Sequence, residues 1–143
     1  MTYKQDDWEK ALRRIQQARQ HYLDYKQQDK DTRFPDLLDE AIWKCWSVGE
    51  YAVNVCLEHF REPVVQDHTQ PAKAKELFRL GHLSRDYSDA LDKLDRFRKK
   101  ASHLGYVKER STHYSSADLD RCLTEIEALS AEVDALLKKG KSL

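Results

Sequence analysis

From about Asp36 to Arg61 the chain sets Leu38, Ala41, Ile42, Cys45, Val48 or Gly49, Ala52, Val53, Cys56 and Phe60 three or four residues apart without interruption. That period draws one continuous apolar stripe along an α-helix, whereas a strand would scatter the same residues over both its faces. The stripe lasts about seven helical turns and is the most apolar stretch of the chain, so it predicts the central helix of an all-α core. Trp43 and Trp46 widen the stripe and predict partners on more than one side. Gly49 and Ala52 are small enough to admit a neighbouring helix at close range.

The remaining segments repeat the period more weakly. About residues 6 to 30, Trp8, Leu12, Ile15, Ala18 or Arg19, Tyr22 and Tyr25 mark an amphipathic helix that opens with Asp6 and Asp7. Its aromatics could stack on bases, but at helical spacing they are read as core. Phe34-Pro35 breaks the chain before the long helix. The segment from Glu62 to Pro71 reads as a loop. It leads to a short helix over about Pro71–Leu80 that stops at Gly81. A helix over about Asp86–His103 follows, with Tyr87, Ala90 or Leu91, Leu94, Phe97 and Ala101 inward and a stop at Gly105. A polar loop from Lys108 to Ser116 precedes a last helix over about Ala117–Leu137, capped by Ser115 or Ser116. The expectation is one domain over residues 1–143, a four- to five-helix up-and-down bundle with its core between about 34 and 137.

With 40% hydrophobic and 35% charged residues but only four Gly and three Pro, the composition excludes a disordered chain or a many-stranded sheet. No apolar run reaches the roughly 20 residues of a membrane span, and the first residues lack the apolar core of a signal peptide, so a cytoplasmic protein is expected. Cys45, Cys56 and Cys122 are odd in number and far apart, which predicts reduced, buried thiols. The spacing of the six His and three Cys matches no zinc cluster, and neither a metal nor a cofactor is expected.

The net charge of zero is unevenly distributed: segment by segment it is +2 over 1–30, −4 over 31–62, −1 over 63–92, +5 over 93–110 and −2 over 111–143. The local excess predicts an anion-facing surface around Lys93, Arg96, Arg98, Lys99, Lys100, Lys108 and Arg110. Within it stand Arg96, Arg98 and His103. A His of near-neutral pKa can move a proton, and an Arg can stabilise the added charge of a pentacoordinate phosphorus, the two tasks needed to cut a phosphodiester without a metal. On an ideal helix position 96 lies within about 20° of position 103 and position 98 about 140° away, so either Arg is a candidate, Arg98 only if the helix loosens before Gly105.

The run from Ser47 to Glu58 on the long helix, the Pro63–His68 loop and Arg98-Lys-Lys-Ala-Ser-His103 late in the next long helix together resemble the HEPN superfamily over roughly residues 34 to 137. The family signature is an Arg, four to six residues, then a His, and both Arg98 and Arg96 satisfy it with His103. The resemblance implies a metal-independent endoribonuclease acting on RNA, often the toxin of a toxin–antitoxin or phage-defence pair, that works as a homodimer with both motifs facing one cleft. By the same resemblance Arg98 or Arg96 would clamp the phosphate and His103 would act as general acid or base. Lys99, Lys100 and Ser102 would position the RNA backbone, and Glu50 would orient the Arg or His. Tyr106 lies near the place where a nucleotidyltransferase-type antitoxin modifies some members. Lys99 stands where toxin members often carry Asn, and the alternative is a non-catalytic HEPN-like module that binds nucleotide, RNA or a partner protein.

Overall fold

A computed structural model describes residues 4–28, 35–64, 70–104 and 116–141, with the side chains of residues 35, 36, 100–104, 116, 140 and 141 outside the description. Among the described residues five helices follow in order: α1 (Gln5–Gln27), α2 (Pro35–His59), α3 (Gln70–Arg79), α4 (Ser88–Leu104) and α5 (Ser116–Lys141). No strand occurs among the described residues, so the fold is an all-α helical bundle as its periodicity demands. Among the described residues no helix is long and apolar enough to cross a membrane.

α2 lies at the centre because its apolar face is broad: Ile42, Cys45, Val48, Ala52, Val53 and Cys56 are all fully or almost fully buried. Cross-helix pairs fix the orientations. Trp8 with Tyr51 and Arg14 with Ser47 set α1 antiparallel to α2. Arg98 against Trp46, together with the approach of Gly49 to Leu91, does the same for α4 and α2. Gly49 and Ile126, Cys45 and Cys122 place α5 parallel to α2. The four long helices therefore alternate in direction, and the short α3 bridges α2 and α4.

Polar groups clasp the bundle where helices meet. The indole Nε1 of buried Trp8 donates to Asp134 Oδ1 of α5 at 3.0 Å, which answers the one polar atom of that ring. Arg19 reaches from α1 to α5, donating to Glu127 at 2.7 Å and to Asp120 at 2.5 Å, with the Tyr22 ring beneath its guanidinium.

Helix ends differ from expectation by a few residues. α1 ends at Gln27 rather than Lys30, and α4 begins at Ser88 rather than Asp86, because the Asp86 carboxylate accepts the Ser88 N–H at 2.9 Å and so lies outside the first turn. α5 runs on to Lys141, past the expected end at Leu137. The Pro63–His68 segment is described only to Val64, and the Lys108–Ser116 loop lies almost wholly outside the described residues.

Candidate functional site

The α4 helix places its cations on different faces. Two residues apart on a helix means about 200° of rotation, so Arg96 and Arg98 cannot share a face. Arg96 points outward, 61% exposed, with Nη2 3.1 Å from Asp92 Oδ2. Arg98 turns toward α2 and is only 13% exposed. Its guanidinium carbon sits 4.1 Å from the Trp46 ring centroid and 5.6 Å from that of Trp43, and Nη2 donates to Asp95 Oδ1 at 2.7 Å. Its Nε is buried with no hydrogen-bond partner among the described residues. A guanidinium stacks well on an indole because it is planar and weakly hydrated, which an ammonium is not.

The two indoles hold each other in place. Their rings meet edge to face, 5.5 Å apart at 90°, a geometry set by the ring quadrupoles. Trp46 is half-buried under Arg98, and Trp43 remains 38% exposed beside it. Both were expected to widen the apolar face toward partners on more than one side; here the Arg98 side chain lies over them, with Trp46 packed against the core and Trp43 left exposed.

Asp95 joins the group from the other side. Its second oxygen lies 3.0 Å from Lys99 Nζ. Burial alone would raise the Asp95 carboxyl, but the hydrogen bonds and charges of Arg98 and Lys99 outweigh it and hold it below the usual carboxylate range. The same pattern runs the length of the helix: Lys93 pairs with Asp89 at 3.4 Å and Arg96 with Asp92. Every described cation of the 93–99 stretch thus faces an aspartate three or four residues upstream, the favourable order on a helix. The charge excess counted from position 93 onward left out Asp89 and Asp92, one turn earlier. This half of the basic patch is an intrahelical ion-pair ladder rather than bare positive surface.

The other expected site residues are placed unequally. Glu50 is half-buried on α2, one turn beyond Trp46. Lys100, Ser102 and His103 lie in the last turns of α4 and their side chains fall outside the description, as does Tyr106 altogether. The convergence of His103 with an Arg is therefore outside the described residues. The backbone does decide one point: α4 continues as α-helix to Leu104, so position 103 keeps the register of position 96 and stays about 140° from position 98.

No protein-family model, no curated protein and no solved structure matches this chain. The site is accordingly read from its own chemistry.

A cleft of about 290 Å³ opens between α4 and α5. Its charges answer one another: Lys93 pairs with Asp89, Arg121 with Asp118, and Arg85 with Glu125 at 3.4 Å. The buried Cys122 thiol beneath them is pushed up to about 11 by desolvation, which leaves it a poor nucleophile. Among the described residues no three of His, Cys, Asp and Glu are grouped to hold a metal ion.

Proposed function

We propose that this chain is a HEPN-like RNA-binding protein that cleaves RNA without a metal ion, at a site on the α2–α4 edge completed by a second copy of the chain. The observation that carries this reading is the Arg98 guanidinium, fixed between the Trp46 ring and Asp95 with the exposed Trp43 ring next to it. An arginine already held in place spends little entropy on gripping a phosphate, and Asp95 occupies only part of its five-donor fork. An exposed indole beside a cation is a surface on which an unpaired base can stack.

The chemistry that follows is attack of a ribose 2′-oxygen on the adjacent phosphorus. The 2′-OH gives its proton to a base, the P–O5′ bond breaks, and the 5′-oxygen takes a proton from an acid, leaving a 2′,3′-cyclic phosphate and a 5′-hydroxyl. In this reading His103 shuttles the proton, and the charge of the pentacoordinate phosphorus is borne by Arg96, in register with position 103, or by Arg98 working with the His103 of the second copy. Lys99, Lys100 and Ser102 line the RNA backbone. A role as the toxin of a toxin–antitoxin or phage-defence pair, with a nucleotidyltransferase-type antitoxin acting near Tyr106, belongs to the same proposal.

One observation favours a second reading, a HEPN-like module that binds without cutting: Arg98 is mostly buried and already ion-paired within its own helix turn. Incubation of labelled single-stranded RNA with excess chelator separates the two. The nuclease reading expects cleavage by the wild type, ends of the cyclic-phosphate type, and loss of at least about 100-fold in rate for His103→Ala. RNA that is bound but left intact assigns the second reading. The Arg98→Ala and Arg96→Ala variants, assayed where circular dichroism reports each folded, tell which arginine serves.

A further inference from the structure

On the opposite flank of the exposed α2 face from Arg98, a cleft of about 190 Å³ separates α1 from α2. Lys10 and Arg14 line it from α1, Ser47 and Tyr51 from α2, and Asp7 stands at its edge. Lys10 and Arg14 are one turn apart on α1 and therefore project from the same side of it. Arg14 Nη1 donates to Ser47 Oγ at 3.0 Å, which draws the guanidinium over the cleft. These cations differ from those of α4 in one respect. Each described α4 cation from Lys93 to Lys99 has an aspartate partner, whereas neither Lys10 nor Arg14 is within ion-pairing distance of a carboxylate among the described residues.

We infer that this cleft is an anion subsite that takes one phosphodiester of a single-stranded RNA, an inference that rests on the RNA reading above. Two cations and one carboxylate leave a net charge of +1, which matches the single negative charge of a diester. Lys10 supplies a mobile point charge, Arg14 a planar fork, and the Ser47 hydroxyl orients that fork. Ser47 directly follows Trp46, so one turn of α2 carries both the indole under Arg98 and the hydroxyl holding Arg14. A strand laid across α2 would run from the exposed Trp43 to this cleft.

The test is fluorescence anisotropy of the full chain with a 2′-O-methyl oligoribonucleotide, which cannot be cut, titrated at several salt concentrations. Each phosphate neutralised on a single strand contributes about 0.7 to the slope of log K against log salt. Lys10→Gln/Arg14→Gln, which empties a subsite for one phosphate, is expected to flatten the slope by roughly 0.7 and Ser47→Ala to flatten it less. Arg13→Gln removes one positive charge next to Arg14 in sequence but outside the cleft, and is expected to leave the slope at the wild-type value. Equal slopes for the cleft variants and the wild type overturn the subsite and leave the RNA reading standing, as does an Arg13→Gln effect as large as that of the cleft pair. A wild type that does not bind the oligomer overturns both. A flattened slope in a protein that leaves ordinary RNA uncut supports the subsite and removes the nuclease step alone.

Discussion

Arg98 lays its guanidinium 4.1 Å from the centroid of Trp46 while Nη2 bonds Asp95, so one side chain ties two helices and neutralises a carboxylate at once. The buried stack contributes about 1 to 2 kcal/mol, and a charge-assisted hydrogen bond adds a comparable amount. Arg98→Ala is expected to lower the unfolding free energy by about 2 kcal/mol in urea. Arg98→Lys should recover less than half of that, because an ammonium cannot stack and bond Asp95 in one plane. Full recovery by Lys would mean that only the charge matters.

The depressed Asp95 carboxyl gives the fold a pH dependence of definite sign. With its folded pKa below the unfolded value of about 3.9, Asp95 contributes stability that is fully present above that value and is lost as pH falls through the folded one. Asp95→Asn should therefore be less stable than the wild type near pH 7, and the gap should narrow on acidification below about pH 4. A gap of constant size down to acid unfolding would contradict the assignment.

The bundle was legible in the sequence because burial follows a period: the stripe from Leu38 to Phe60 predicted the central helix, and its inward residues are buried up to Cys56, with Phe60 partly buried just past the end of α2. The Arg98–Trp46 contact was not, since the two residues lie 52 positions apart and meet only through the antiparallel packing of α2 on α4. For the described cations from Lys93 to Lys99 the charge count overstated the excess for a local reason, because the helix pairs each of them with an aspartate one turn upstream, and a window opened at Lys93 discards Asp89 and Asp92. Arg14 and Ser47 were invisible for the same cause as Arg98: a polar pair across two helices leaves no periodic trace.

At Gly49 α2 packs against both α4 and α5. A Cβ built there would stand 2.7 Å from Leu91 Cδ2 and 3.2 Å from Ile126 Cδ1. Leu91 is itself buried and has no solvent to swing into. Alanine in a helix ordinarily gains about 1 kcal/mol over glycine, but overpacking costs about 1 to 3 kcal/mol. Gly49→Ala is expected to be destabilising by about 1 kcal/mol net, and Gly49→Val by about 3 kcal/mol, in the same urea titration. A stabilised Gly49→Ala would show that the three helices can part there without loss.

The three thiols should be inert until the chain opens. Desolvation raises Cys45 well above the ordinary thiol range, Cys56 to about 12 and Cys122 to about 11. At pH 8 almost none is thiolate, and all three are buried. An aromatic disulfide reagent is expected to consume no thiol rapidly from the native chain and three from the chain in guanidinium. A fast native equivalent would place one cysteine at the surface.

α2 and α3 end in the same motif with different residues, which makes an internal comparison. At the end of α2 the Glu62 N–H bonds the Leu57 carbonyl at 2.7 Å and the Arg61 N–H bonds that of Glu58 at 3.0 Å; at the end of α3, His82 bonds Leu77 at 2.9 Å and Gly81 bonds Phe78 at 3.0 Å. The left-handed position is Arg61 in one, at φ 59°, and Gly81 in the other, at φ 82°. The two ends touch, with the His82 ring stacked 3.9 Å from the Phe60 ring. A non-glycine residue in this conformation costs about 1 to 2 kcal/mol, and glycine returns part of that through the entropy of the unfolded chain, about 0.4 to 1 kcal/mol. Arg61→Gly is therefore expected to stabilise the chain by about 0.5 to 1 kcal/mol. Gly81→Ala, whose Cβ would meet nothing within 4 Å, should destabilise it by about 1 kcal/mol for conformational reasons alone. Opposite signs for the two variants in thermal or urea unfolding are the expected result, and equal signs would mean that side-chain contacts of Arg61 outweigh its backbone strain.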